Sequence, residues 1–171
     1  MKYILPLLLF LLPSCATICQ FQKPSVNYDV RKVSGDANLI NKSLSGKLTG
    51  YGGVFIEAGK RYQVDPIFLA AVAMHETGNG NSKAIRNKKN AMGIYNSRAR
   101  CTKKFNSIRE SIFEGARIIA GKNYYEKGRY TVAQIQKVYC PVGASNDKYS
   151  LNRYWLTGVV DNIKEIEHGN L

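Results

Sequence analysis

Asp65-Pro66-Ile67-Phe68-Leu69-Ala70-Ala71-Val72-Ala73-Met74-His75-Glu76-Thr77-Gly78-Asn79-Gly80 begins as a buried helix and closes on a charge. Asp65 is suited to the N-cap and Pro66 to the first helical position. Every residue from Ile67 to Met74 is apolar, so the helix is expected to be enclosed on all sides instead of lying on a surface. His75 and Glu76 are the first polar residues after that run, and Gly78, Asn79 and Gly80 supply a C-cap and turn. A carboxylate in a last helical turn faces the negative end of the helix dipole, and burial beside apolar residues adds a desolvation penalty. Both effects raise its pKa. A carboxylic acid that keeps its proton near neutral pH can give it to a leaving group. Glu76 is therefore the candidate catalytic acid. The competing reading is a solvated glutamate at a helix end with no chemical role.

Working outward, Asn90-Ala91-Met92-Gly93-Ile94-Tyr95 follows within one short segment. The pattern Glu76-Thr77-Gly78-x-Gly80-x-Ser82, then Asn90-x-x-Gly93-Ile94, resembles the bacterial glucosaminidase family of peptidoglycan hydrolases, within the lysozyme-like superfamily. Phe105-Asn106-Ser107-Ile108-Arg109-Glu110-Ser111-Ile112 resembles the family's aromatic-then-Glu-Ser-Ile segment. Tyr139-Cys140-Pro141, with Asn152, Trp155-Leu156 and Val159, resembles its closing segment. The resemblance runs from about Gly50 to the C-terminus.

The resemblance implies a mainly α fold (α+β, lysozyme-like), a helical domain with a small β-hairpin beside a cleft. It implies hydrolysis of a β-1,4 bond in peptidoglycan glycan strands, of the endo-β-N-acetylglucosaminidase type and without a cofactor. Glu76 would be the general acid and Tyr139 a second catalytic position facing the cleft. Gly78, Asn90, Met92, Gly93, Tyr95 and Phe105 would bind substrate. Two positions depart from the pattern: Asn79 replaces a usual aromatic between the glycines, and Tyr95 stands where lysine is frequent. A lytic transglycosylase or muramidase remains an alternative, as does a non-catalytic wall-binding lipoprotein. Glycosidases usually pair two carboxyl groups. Glu110, Glu114 and Asp147 are the candidates for the second, each equally readable as a solvated helix face or a turn former. Tyr124, Tyr125 and Trp155 could stack on sugars, although the spacing of Trp155 places it in a core.

The 171-residue chain suits one domain. Twenty-five Lys and Arg against 12 Asp and Glu give a formal net charge of +13, which implies an anionic partner such as a cell wall or a membrane surface. Small basic clusters occur at Arg86 to Lys89 and at Arg98 to Lys104. No zinc-finger spacing, aromatic RNA-binding signature or long basic arm points to nucleic acid. His75 and His168 are the only histidines, and neither sits in a metal-ligand pattern.

Residues 1–15 read as an export signal. Lys2 precedes an apolar run, Ile4 to Leu12, too short to span a bilayer, and Leu12-Pro13-Ser14-Cys15 resembles a lipoprotein signal with Cys15 as the lipidated residue. The product would be a membrane-anchored lipoprotein of the periplasm or cell envelope. Ordinary cleavage after Ala16, giving a secreted protein, is the alternative. Residues 16–49 are polar and lack sustained periodicity, and read as a linker or loosely held arm. Residues 50–171 form the glucosaminidase-like domain. In an oxidising compartment Cys101 and Cys140 could pair, closing a loop of about 40 residues worth ~4 kcal/mol; the alternative is two free thiols.

Within the domain, helices are expected over Gly53 to Tyr62, from Pro66, over Ser107 to Gly121, from Thr131 to Tyr139 and over Asn152 to Glu167. Ser82 to Lys89 reads as a short helix or loop. Ala91 to Tyr95 and Lys103 to Phe105 read as a small hairpin.

Overall fold

A computed structural model describes residues 25–169 apart from 97, 146 and 148. The expected signal segment, Cys15 and Cys19 lie outside the described residues.

Seven α-helices and one hairpin make up the described chain: α1 (Ala37–Ser43), α2 (Gly52–Tyr62), α3 (Pro66–Thr77), α4 (Lys83–Lys88), β1 (Tyr95–Asn96), β2 (Cys101–Thr102), α5 (Ile108–Ile119), α6 (Val132–Tyr139) and α7 (Trp155–His168). Short 3₁₀ turns at Gly46–Leu48, Tyr125–Lys127 and Leu151–Tyr154 link them. This is the mainly helical architecture with a small β element that the sequence predicts.

Helix α3 is the axis of the fold. All of Pro66 to Met74 is buried, as is Thr77, and α7, α2, α5 and α4 pack around it. Asp65 caps it by accepting from Ile67 N at 2.7 Å and Phe68 N at 3.3 Å. At the other end Gly78 takes the left-handed conformation (φ +53°) and donates to Met74 O. The Thr77 hydroxyl donates to Ala73 O at 2.6 Å and accepts from Gly80 N at 2.8 Å. These bonds fix the direction in which the last turn presents its side chains.

The amphipathic helices lie against this axis by their expected faces. Helix α5 is capped by Ser107, which accepts from Glu110 N at 3.0 Å, and buries Ile112, Ala116 and Ile119. Helix α6 begins with a capping box between Thr131 and Gln134. Helix α7 buries Trp155, Val159, Val160, Ile163 and Ile166. The Asn162 side-chain amide of α7 donates to Ala71 O at 2.9 Å, pinning α7 to the backbone of α3.

The expected linker at residues 16–49 is corrected over its described part. Tyr28, Val30, Ile40, Leu44 and Leu48 are core residues. Val30 accepts from Asp65 N at 2.7 Å and donates to Tyr130 O at 2.9 Å. The Tyr28 hydroxyl donates to Asp65 Oδ2 at 2.7 Å. This segment lacks periodicity because its apolar residues are anchored singly against different distant elements.

The hairpin is shorter than expected and shifted, pairing Tyr95 with Thr102 and Asn96 with Cys101. Ala91 and Met92 lie in the turn before it, both buried. Met92 packs so tightly on α5 that a β-carbon at Gly115 would come within 2.6 Å of Met92 Cγ.

Candidate active site

Glu76 occupies the last turn of α3, where the buried axis meets a surface cleft. The cleft has a volume of about 470 Å³ and is lined by Glu76 and by Gly93 and Tyr95 on the hairpin side. Val138, Tyr139, Cys140 and Pro141 line it from the end of α6, Ala144 from the following loop and Asn152 from the 3₁₀ turn before α7.

The indole N–H of Trp155 donates to Glu76 Oε1 at 3.0 Å. Behind it the indole meets the Tyr139 ring, centroids 5.1 Å apart, and His75 edge-on at 6.4 Å. On the other side the Gly93 backbone closes on the acid. A β-carbon there would lie 2.6 Å from Glu76 Cδ, and its φ of +61° is a conformation that glycine adopts without strain. The acid is thus held between an aromatic wall and a backbone turn, with part of its surface open to the cleft. Burial pushes its pKa from 4.5 up to about 7, against the opposing pull of the Trp155 hydrogen bond. This is the displacement required of a proton donor near neutral pH.

Residues 52–167 match the glucosaminidase family, described as mannosyl-glycoprotein endo-beta-N-acetylglucosaminidase. The chain belongs to that family. It is therefore a glycoside hydrolase. Two structures of S. aureus Autolysin E share this glucosaminidase fold, each with a TM-score of 0.65 at 23% identity, covering 84% of this chain and 72% of theirs. One holds the muropeptide NAM-L-Ala-D-iGlu, and the other is a catalytic glutamate-to-alanine mutant with the disaccharide NAG-NAM. A major bifunctional autolysin aligns at TM-score 0.55 and 23% identity, over 86% of this chain and 68% of that one. A type VI secretion system effector-immunity complex from Pseudomonas protegens aligns at 0.50 and 12% identity, over 77% of this chain and 93% of that one. No curated protein sequence matches significantly.

The structure separates the expected site residues of this glucosaminidase into two groups. Glu76, Gly93, Tyr95 and Tyr139 line the cleft. Tyr95 is 56% exposed at its lip. Tyr139 donates its hydroxyl to Met92 O, which ties the end of α6 to the turn beneath Glu76. Burial holds its phenol well above the usual range, so it stays neutral.

Asn90, Met92 and Phe105 are buried and lie outside the cleft lining, which corrects the expectation that they bind substrate. Asn90 donates to Ile94 O at 2.8 Å and Lys103 O at 3.0 Å and accepts from Ile94 N at 3.0 Å. Its amide thus joins both arms of the hairpin, leaving the substrate no share of it. Phe105 lies beneath Lys103, whose ammonium is 4.9 Å from the ring centroid. Gly78 is exposed at the α3 cap, also outside the cleft lining. Asn79 takes no aromatic role: its side chain accepts from Ser45 N at 3.0 Å and donates to Ser43 O at 2.8 Å, securing α1. Tyr124 is buried, and Tyr125 donates its hydroxyl to Val30 O at 2.9 Å, so neither lines the cleft.

The expected disulfide is also corrected. Cys101 and Cys140 are both free thiols. Cys101 is exposed on the hairpin outside the cleft lining, whereas Cys140 lines the cleft at the end of α6. Burial pushes the Cys140 thiol up to about 11.

The candidate second carboxylates are engaged elsewhere. Glu110 accepts from Asn106 N at 2.8 Å. Glu114 pairs with Arg117 at 2.8 Å and Lys103 at 3.3 Å, which holds its carboxyl below the usual range. Asp147 accepts from Leu151 N at 2.7 Å and Asn152 N at 3.2 Å. Among the described residues, Glu76 is the carboxylate lining the cleft.

Sequence reading missed the catalytic bearing of Trp155. Its buried position in the α7 stripe was legible, but the direction of its N–H depends on how α7 crosses α3.

Proposed function

We propose that this glucosaminidase cleaves the β-1,4 bond between amino sugars in the peptidoglycan glycan strand, leaving N-acetylglucosamine at the new reducing end. The observation that carries the reading is the Glu76 carboxyl in its cleft, raised to about 7 by burial. With Oε1 occupied by the Trp155 N–H, Oε2 is the oxygen that delivers the proton to the bridging oxygen. The C1–O bond breaks, the leaving sugar departs as an alcohol, positive charge develops at the ring, and a water then adds at C1 and returns its proton to Glu76. A cleft of about 470 Å³ lies within the ordinary range for small-ligand sites. The NAG-NAM disaccharide held by a catalytic glutamate mutant of Autolysin E supports both the substrate class and the acid. A lone cleft carboxylate suits a route in which the substrate's own acetamido group supports the developing charge.

Peptidoglycan lies outside the cytoplasmic membrane, so this reading includes export, with residues 1–15 as signal and Cys15 as the lipid attachment point. Detergent-phase partitioning of wild type against Cys15→Ala tests the anchor; equal behaviour removes it.

Purified peptidoglycan, digested by wild type and by Glu76→Gln and analysed by mass spectrometry, tests the activity. Reducing GlcNAc ends from wild type and none from the variant are expected. Reducing MurNAc ends would reassign the enzyme as a muramidase, and anhydromuramic ends as a transglycosylase. Equal digestion by the variant would remove Glu76 from the mechanism.

A further inference from the structure

The basic cluster at Arg86 to Lys89 is not used by the active site. It borders a second concavity of about 320 Å³, lined by Lys47, Tyr51, Ile85, Arg86, Lys89, Asn106, Ser107 and Ile108. No lining residue is shared with the catalytic cleft. Three cations converge there from two places in the chain, Lys47 from the turn after α1, and Arg86 of α4 with Lys89 at its C-cap. No carboxylate lines the pocket. Among the described residues, none of the three cations has an ion-pair partner.

Local bonds hold the site in shape. Lys89 Nζ donates to Asn106 O at 2.8 Å, tying α4 to the start of α5. Lys47 N donates to Gly80 O at 3.1 Å, placing the third cation on the same rim. The first turn of α5 faces the pocket through Ser107 and Ile108, adding the positive end of a 12-residue helix. The nearest acid by sequence, Glu110, spends its Oε2 on Asn106 N. The Tyr51 side chain lines the same pocket.

We propose that this pocket is a phosphate-binding site, separate from the catalytic cleft, through which the protein holds a phosphate-bearing wall polymer. A guanidinium offers a fork matched to two phosphate oxygens, and two ammonium groups add point charges. The concave rim selects a compact oxyanion over diffuse negative charge. The phosphate is that of an anionic wall polymer, the setting in which the proposed glycan substrate lies, so the choice of partner rests on that reading.

The test uses the full-length protein with three probes: inorganic phosphate, poly(glycerol phosphate), and vesicles of phosphatidylglycerol in phosphatidylcholine. Phosphate is expected to shift the backbone amide resonances of residues 47, 86, 89 and 107–109. Lys47→Gln/Arg86→Gln/Lys89→Gln is expected to weaken binding to the polymer or the vesicles by about tenfold or more. Lys42→Gln/Lys60→Gln/Lys122→Gln carries the same net charge and is expected to bind like wild type. Polymer binding without vesicle binding is expected, and vesicle binding without polymer binding would overturn the wall-polymer assignment. Equal weakening by the two triple variants would reduce the effect to net charge and overturn the proposal. Phosphate shifts absent from the pocket would do the same. None of these measurements depends on glycan cleavage, so failure here is distinguishable from failure of the catalytic reading.

Discussion

The Trp155 indole N–H meets Glu76 Oε1 at 3.0 Å, joining the first residue of α7 to the last turn of α3. The bond favours the ionised carboxylate, while burial favours the neutral acid and prevails, leaving the pKa at about 7. The aromatic residue thus both adds to the enclosure that raises this pKa and limits how far it rises.

Trp155→Phe is therefore expected to raise the Glu76 pKa further. The alkaline limb of kcat/KM should move to higher pH, with a lower plateau because the acid loses its anchor. A pH–rate profile checks this. A limb that moves to lower pH would show that the indole acts mainly through burial.

Glu76 also makes stability depend on pH. Its folded pKa lies above its unfolded value of 4.5, and Asp65 is raised likewise from 3.8 to about 6. The folded state holds protons that the unfolded state releases, so stability falls as pH rises from about 4 to about 7. Glu76→Gln removes the first contribution. Urea denaturation should find the variant more stable than wild type by on the order of 1–3 kcal/mol at about pH 8, and nearly equal to it at about pH 4. An inactive enzyme that is more stable is the expected signature of a functional acid held where solvation is poor.

Gly93 and Gly78 provide a matched pair. Both have positive φ, +61° and +53°, so alanine strains either backbone by about 1–2 kcal/mol. Only at Gly93 would the new carbon strike the Glu76 carboxyl; at Gly78 it meets nothing within 4 Å. Gly93→Ala is expected to lose about a hundredfold in kcat by displacing the acid, whereas Gly78→Ala should lose stability and keep its activity. Paired melting and turnover measurements decide.

Tyr28→Phe tests the place of the N-terminal segment in the domain. The variant removes a donor 2.7 Å from the buried Asp65, the residue that caps α3. A loss of about 1–3 kcal/mol is expected, larger at neutral than at acid pH because the unpaired carboxylate becomes harder to ionise. A truly detached arm would give no change by chemical denaturation.

Local rules made much of this protein legible. The cap Asp65-Pro66, the unbroken apolar run to Met74 and the glycine turn after Thr77 predict α3 and the unusual position of Glu76. Regular spacing predicts α5 and α7, and Thr131 as N-cap marks the start of α6. These signals are strong because each depends on neighbours within a few residues. The segment from Tyr28 to Leu48 was opaque because each apolar side chain finds its partner far away in sequence.

The sequence by itself determined that a carboxylate would terminate a buried helix, because chain order and apolar content need no other information. The tertiary structure decided what surrounds that carboxylate: an indole from residue 155, the backbone of residue 93 and a tyrosine hydroxyl drawn back to Met92. It also moved Asn90, Met92 and Phe105 from the substrate surface into the support of the hairpin. A motif preserves residue types in order, but whether a side chain faces sugar or core depends on how separate helices cross. That geometry is set by packing between residues distant in the chain.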